Sequence, residues 1–222
     1  MILTLRWIAF EPFMIPSGSM ISSLLIHDHI IVKKYSYGVR VPFSQKWLTD
    51  IKLPSRGDVV VFKKPQEGYF MIKRVIGLPG DTIKMSEAGK LTVNGQEWQR
   101  ADYEYSEILK DNEYYDVDAK DLETNPENMM FYEQATGKNK YLTMYNGSFP
   151  RDPLEAVGPP NHIFFMGDNR ENSSRSHYWG SVDTKYLRGE ASHIWLSCQE
   201  TVLSRLCKPN TLRFDRIFDA IK

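Results

Sequence analysis

Short apolar runs separated by turn residues dominate the hydrophobic pattern of this chain. The runs are rich in Val, Ile, Phe and Tyr and are bounded by Gly, Pro, Asn or Asp, a pattern typical of β-strands joined by turns. Strands are predicted at His29–Tyr35, Asp58–Lys63, Tyr69–Ile76, Thr82–Met85, Lys90–Val93, Asn161–Met166 and Ala191–Ser197. Helical periodicity is weak and is clearest at Asp215–Lys222. The sequence therefore predicts a mainly β protein.

Two turns are predicted from their residues. Asn94-Gly95 favours a hairpin, because both residues tolerate the positive φ that a type I′ turn requires. In the segment Leu78–Asp81, Pro79 presets φ and Gly80 supplies a positive φ, as in a type II turn.

The first sixteen residues are mostly apolar and aromatic, and their only charged residues are Arg6 and Glu11. They lack the long apolar centre and the small-residue cleavage site of a secretory signal. No run in the chain approaches the roughly 20 apolar residues of a membrane-spanning helix. The segment is therefore either a core strand or an interfacial segment with Trp7, Phe10 and Phe13 at the lipid boundary.

The stretch from about residue 83 to residue 160 differs from its surroundings. It is acidic, rich in tyrosine and in turn residues, and the segments with candidate chemistry lie on either side of it. An insertion into a β core explains this distribution better than a separate C-terminal domain. We predict an antiparallel β-sheet core of residues 1–82 and 161–222, with a smaller β-rich domain inserted at residues 83–160.

Composition and charge exclude several classes of protein. The 222 residues are 41% hydrophobic and 25% charged, which is ordinary for a globular chain. Basic and acidic residues number 28 each, so no overall basic excess indicates a nucleic-acid partner. Residues 101–128 hold ten acidic residues and two lysines, which leaves 26 basic and 18 acidic residues elsewhere. This asymmetry fits a solvated acidic loop, or a basic body that faces anionic lipid headgroups.

Three segments carry candidate chemistry: Ile15–Met20 (IPSGSM), Met71–Asp81 (MIKRVIGLPGD) and Met166–Ser173 (MGDNRENS). A serine hydroxyl is a poor nucleophile that needs a neighbouring base, and a lysine serves if burial lowers its pKa. Lys73 lies in an apolar strand, and strand alternation allows it to face a dry pocket while Arg74 faces water.

In this order the segments resemble the bacterial type I signal peptidases, which are membrane-bound serine proteases with a Ser/Lys dyad. The similar stretches are Phe13–Met20 (FMIPSGSM), Tyr35–Phe43 (YSYGVRVPF), Arg56–Phe62 (RGDVVVF), Ile72–Asp81 (IKRVIGLPGD), Gly167–Ser173 (GDNRENS) and Tyr178-Trp179-Gly180. The resemblance covers most of the chain outside the predicted insertion.

The resemblance implies roles for particular residues. Ser19 is expected to be the nucleophile and Lys73 its general base, with Ser173 orienting the lysine amine. The backbone N–H of Ser19 and the hydroxyl of Ser17 are expected to form the oxyanion hole. The residues that match the pockets for the substrate are Phe13, Ile15, Pro16, Met71 and Ile72.

The resemblance also implies a substrate and a location. The substrates are expected to be pre-proteins that carry signal peptides ending in an Ala-x-Ala pattern. Cleavage is expected at the outer face of the cytoplasmic membrane, beside the lipid surface, with no cofactor and no nucleic-acid partner.

The sequence departs from the family pattern at several positions. Ser22-Ser23 stands where the family usually has Pro-Thr, Arg175 stands where it has aspartate, and His177 stands where it has arginine. The membrane-spanning helix that normally precedes the segment Phe13–Met20 is missing, so either the chain begins downstream of it or residues 1–16 lie in the interface. The changes at Arg175 and His177 motivate an alternative, a weakly active or inactive paralogue that binds signal peptides or membrane partners.

A self-cleaving regulator is a third hypothesis, because LexA-like repressors use a similar Ser/Lys pair. Those proteins carry an N-terminal helix-turn-helix, and fewer than twenty residues precede Ser19 here, which argues against this class.

Two weaker patterns involve histidine and cysteine. His27 and His29 are predicted to share one strand face, but no cysteine, glutamate or third histidine lies nearby in sequence, so no metal site is predicted. Cys198 and Cys207 either form a disulfide in an oxidising compartment or remain two free thiols.

Overall fold

The computed structural model describes residues 9–41, 46–103, 129–136, 139–146, 153–170, 181–203 and 206–222. These residues form mostly antiparallel β-structure, as predicted. The strands are β1 (Phe10–Met14), β2 (His29–Lys33), β3 (Val59–Lys63), β4 (Phe70–Gly77), β5 (Thr82–Met85), β6 (Leu91–Val93), β7 (Gln96–Glu97), β8 (Arg100–Tyr103), β9 (Met129–Thr136), β10 (Asn139–Asn146), β11 (Leu154–Val157), β12 (His162–Met166), β13 (Ser181–Asp183), β14 (Leu187–Leu196), β15 (Thr201–Val202) and β16 (Leu206–Cys207).

The largest sheet has seven strands in the order β1-β2-β14-β3-β4-β12-β13. Strand β3 is central and its first four residues are buried, which explains why its sequence is a continuous apolar run. Val59 and Val61 pack into a cluster with Ile30. Val60 packs into a second cluster with Phe165. The sheet therefore has an apolar cluster on each face, and a polar side chain that points into either face is removed from water.

Two smaller sheets contain the strands between β4 and β12. Their orders are β11-β5-β6-β7 and β10-β9-β8, and most of the acidic stretch lies outside the described residues. The predicted turns are confirmed: Asn94 and Gly95 have φ values of 51° and 80° between β6 and β7, and Gly80 has a φ of 87°. The domain boundaries at residues 83 and 160 stay predictions.

The weak helical pattern at Asp215–Lys222 is a wrong prediction. A single 3-10 turn forms at Phe214–Arg216, and the backbone after it pairs with β14. The N–H groups of Phe218 and Ile221 donate to carbonyl oxygens of β14, at 2.7 and 2.9 Å. Because these donors are used between segments, they are not available for the i to i−4 bonds of an α-helix.

The N-terminal segment is a strand where it is described. Residues Phe10–Met14 form β1 and pair with β2, and the first eight residues lie outside the described part. Across the described ranges, no helix has both the length and the apolar character needed to cross a bilayer.

Candidate active site

Ser19 lies in a short 3-10 helix, Gly18–Met20, that follows β1. The helix is held against the sheet because Met20 and Leu24 are fully buried in the apolar cluster that contains Ile30 and Val61. A Cβ atom on Gly18 would lie 2.7 Å from the Cδ1 atom of Ile21, so a larger residue there would push the turn apart. The buried apolar residues that follow Ser19 thus hold the turn against this cluster, and Ser19 itself is half-buried.

Lys73 reaches Ser19 from β4. Its Nζ atom donates a hydrogen bond to the Oγ atom of Ser19, across 54 residues of sequence. Only 5% of the lysine is exposed to solvent. Burial lowers the pKa of Lys73 to about 8, because the ammonium form loses its hydration, and the negative charge of Asp168 works in the opposite direction. A serine hydroxyl and a buried amine with a lowered pKa are therefore in contact in a partly dry site.

Arg74 does not face water, and the prediction from strand alternation is wrong. The side chain is fully buried and forms a two-point ion pair with Asp168, with Nε to Oδ1 at 2.7 Å and Nη2 to Oδ2 at 2.6 Å. Its Nη1 atom donates to the carbonyl oxygen of Gly57 at 2.7 Å, and the guanidinium stacks 3.8 Å from the ring centre of Tyr141. Arg74 lies on the face of β4 opposite Lys73, as alternation requires. That face is covered by other residues, so Arg74 does not reach water.

Asp168 connects Arg74 on β4 with Ser23 in the segment after Ser19. Its Oδ2 atom accepts a hydrogen bond from the hydroxyl of Ser23 at 2.6 Å, and that hydroxyl accepts one from Arg74 at 2.9 Å. The carboxylate is completely buried, so its charge is compensated by the guanidinium and the hydroxyl. Sequence reasoning assigned no role to Asp168 or Ser23. Two signals were present: an acidic residue in the third motif and a hydroxyl four residues after the serine.

Of the other predicted catalytic residues, the structure describes Ser17 and does not describe Ser173. The hydroxyl of Ser17 is solvent-exposed and lies 3.4 Å from the Oγ atom of Ser19. Ser173 lies outside the described residues, as do Arg175 and His177. The assigned roles stay predictions.

The predicted substrate-contacting residues fall into two groups. Phe13 and Ile72 are partly buried and pack against the same apolar cluster as the buried Ile15. Met71 packs against the cluster on the other face of the sheet, and Pro16 is exposed beside the serine turn. The structure thus brings Phe13, Ile15 and Ile72 together and leaves Met71 apart.

The two histidines do not share a strand face, so that prediction is wrong. His29 begins β2, whereas His27 precedes the strand with a φ of 69° and approaches the Gln199 carbonyl oxygen at 3.0 Å through Nδ1. Cys198 and Cys207 form a disulfide. A ring nitrogen of His29 lies within 4.8 Å of both sulfur atoms. Metals bind the thiolate form of cysteine, and a disulfide does not supply it.

Comparison with known proteins identifies the class. The family model "Signal peptidase, peptidase S26" matches residues 1–196. A signal peptidase I of Pseudomonas aeruginosa is 35% identical, and the match covers 96% of this chain and 73% of that protein. One of Pseudomonas fluorescens is 34% identical over the same shares. One of Buchnera aphidicola from Schizaphis graminum is 35% identical over 88% of this chain and 71% of the relative.

This chain belongs to the peptidase S26 family of signal peptidases. A solved signal peptidase I from Enterococcus faecalis V583 is 25% identical, with a TM-score of 0.37 over 64% of this chain and 100% of the solved one.

Proposed function

We propose that this chain is a serine endopeptidase that removes signal peptides from exported pre-proteins, with Ser19 as nucleophile and Lys73 as general base. The observation that carries the proposal is the contact between the Lys73 amine and the Ser19 hydroxyl at a site where the amine is nearly excluded from water. Family membership supports the peptidase class. The finer assignment of roles follows from the chemistry of these two side chains.

The reaction begins with the neutral amine of Lys73, which becomes the major form above a pH of about 8. The amine removes the proton of Ser19 as the Oγ atom attacks the carbonyl carbon of the scissile peptide bond. The C–N bond then breaks, and the lysine ammonium returns the proton to the leaving amine. A water molecule, deprotonated by the same amine, hydrolyses the ester on Ser19 and regenerates the hydroxyl.

The negative charge that develops on the carbonyl oxygen needs hydrogen-bond donors. The hydroxyl of Ser17, 3.4 Å from the nucleophilic oxygen, and the backbone N–H of Ser19 are the proposed donors. Loss of one such donor typically lowers the rate by about 10²–10³-fold. Ser173 is proposed to hold the amine of Lys73 toward Ser19 once the proton has moved.

The substrate is proposed to bind in an extended conformation along an exposed strand edge beside the site. Phe13, Ile15 and Ile72 are proposed to line small pockets for the residues before the cleaved bond. Pro16 and Met71, which lie outside this cluster, are proposed to contact the substrate separately. Small pockets suit the Ala-x-Ala pattern of signal peptides. We place this activity at the outer face of the cytoplasmic membrane, beside the lipid surface.

The test is cleavage of a pre-protein by the purified chain in detergent or lipid vesicles. Ser19→Ala and Lys73→Ala are expected to abolish cleavage after Ala-x-Ala while the circular dichroism spectrum stays unchanged. Lys84→Ala is the matched control, since Lys84 is exposed on β5 and pairs with Glu155 on the surface. If both variants kept full activity, the assignment of nucleophile and base would be wrong.

The alternative, a paralogue that binds signal peptides with little turnover, rests on Arg175 and His177. It predicts that a signal-peptide analogue binds the wild-type chain without being cut, even above pH 8, where the Lys73 amine is neutral. Cleavage of a pre-protein over many turnovers at that pH excludes it.

A further inference from the structure

The β9–β10 hairpin lies directly against the turn that carries Ser19. The hydroxyl of Ser22, three residues after the serine, donates a hydrogen bond to the carbonyl oxygen of Leu142 in β10 at 2.9 Å. Both residues are only 1% exposed. A buried carbonyl that loses its donor is left without water to replace it, so this bond is costly to break.

Apolar side chains also join the segment after Ser19 to the hairpin. Ile21 and Leu25, which flank the bond from Ser22, form one cluster with Phe131 of β9 and with Leu142 and Met144 of β10. The segment that follows the serine therefore has its own apolar contact with the hairpin, separate from the cluster beneath the main sheet. Closely packed contacts of this kind transmit displacement because they leave little room for adjustment.

The loop after β12 also connects β10 with the turn that carries Ser19, through hydrogen bonds. The backbone of Met144 donates to the Asp168 carbonyl at 2.9 Å and accepts from the Arg170 N–H at 2.8 Å. Between them, Asn169 donates from its backbone to the Ser19 carbonyl at 3.3 Å and from its side chain to the Gly18 carbonyl at 3.2 Å. The loop after β12 is thus held between β10 and the nucleophile.

Arg170 adds side-chain hydrogen bonds between this loop and the hairpin. It is 2% exposed, and its guanidinium donates to the Oε1 atom of Gln134 at 2.6 Å and to the hydroxyl of Tyr145 at 3.1 Å. Those two partners lie on β9 and β10 respectively. The same hairpin therefore holds both the turn with Ser19 and the loop with Asp168, whose carboxylate pairs with Arg74.

We propose that the β9–β10 hairpin positions the nucleophile, and that Ser22 is a positioning residue through its bond to Leu142. The inference rests on the proposed function, because it assumes that Ser19 is the nucleophile. Ser22 stands where the family usually has proline, whose side chain has no hydroxyl to donate. The hydroxyl link is accordingly a feature of this chain's own sequence.

Ser22→Ala is expected to lower kcat for pre-protein cleavage by about ten-fold, because small misplacements of a reacting group cost up to about 10²-fold in rate. The KM value is expected to stay within about two-fold, since the proposed pocket residues Phe13, Ile15 and Ile72 belong to another cluster. A merely structural role would lower the amount of folded protein without this separation of kcat from KM.

Thr143→Val is the matched control. Thr143 lies on β10, is 1% exposed, and its hydroxyl donates to the Tyr132 carbonyl inside the hairpin at 3.1 Å. The substitution removes a buried hydroxyl from the same hairpin, but the hydrogen bond that is lost lies between β9 and β10 and does not involve the segment after Ser19. Its kcat is expected to equal that of the wild-type chain when both are measured well below their unfolding temperatures.

A second pair of variants keeps the test decisive if Ser22→Ala folds poorly. Leu142→Val removes one methylene from the hairpin side of the contact with Ile21 and Leu25, and Leu91→Val removes one from an unrelated apolar cluster. The first is expected to lower kcat by a few-fold and the second to leave it unchanged.

Equal kcat values in Ser22→Ala and Thr143→Val, or in the two leucine variants if Ser22→Ala does not fold, would overturn the inference. If Ser19→Ala stayed fully active, the proposed function itself would fail. An inactive Ser19→Ala with a fully active Ser22→Ala would overturn only the role of Ser22.

Discussion

Replacing Lys73 by methionine should stabilise the fold while removing the proposed base. Burial lowers the pKa of Lys73 from its ordinary value of 10.5 to about 8, so below pH 8 the folded protein holds a charge that the unfolded chain carries more easily. At about 1.4 kcal/mol for each pKa unit, this penalty is roughly 3 kcal/mol. Loss of the hydrogen bond to Ser19 destabilises the variant by about 1 kcal/mol and offsets part of this gain. The net gain at pH 6.5 is about 2 kcal/mol.

The gain should depend on pH with a definite sign. The penalty is full below pH 8 and disappears as pH rises to 10.5, because between these values the unfolded chain binds more protons than the folded one. The free energy of unfolding is measured by urea denaturation of both proteins at pH 6.5 and pH 10.5. At pH 10.5 the advantage of Lys73→Met should vanish or reverse, and Lys84→Met, at an exposed position, should show no such dependence.

Two results would refute this reasoning. One is a Lys73→Met variant less stable than the wild type at pH 6.5. The other is a difference in unfolding free energy that stays constant between the two pH values.

Two further predictions concern activity and the buried ion pair. The kcat/KM value for pre-protein cleavage should rise with pH to a midpoint of about 8, since Lys73 must lose a proton to act as base, and a flat profile from pH 6 to 9 would contradict this. Asp168→Asn should lower the free energy of unfolding by about 3–5 kcal/mol, because it leaves Arg74 buried without its counter-charge. Urea denaturation measures this loss, and Asp183→Asn, which removes a surface pair with Lys185, should cost less than about 1 kcal/mol.

Local sequence patterns predicted β2 to β6, β12, β14 and both turns, because short-range chemistry decides them, but they predicted no strand at β8 to β11. The apolar run within Asp58–Lys63 predicts a strand, and β3 (Val59–Lys63) is that strand. Asn94-Gly95 predicts a hairpin because the residue types themselves permit positive φ. In both cases the deciding information lies within a few residues.

Long-range contacts account for what the sequence did not predict. Alternation puts Arg74 on the face opposite Lys73, but it does not show that Asp168, 94 residues away, covers that face. The tail at Asp215–Lys222 has a weak helical pattern, yet its N–H groups bond to β14. Ser22 similarly gains its partner from Leu142, 120 residues later. These partners depend on the arrangement of the sheets, which no local pattern contains.

The most direct test of the proposed chemistry is the pKa of Lys73 in the folded protein. A pH titration of selectively labelled lysine side chains by NMR measures it, with the Lys73→Met spectrum identifying the signal. The midpoint should lie at about 8, because the amine is buried against Ser19. A midpoint near the ordinary lysine value of 10.5 would show a well-solvated ammonium, and Lys73 would then not be the base.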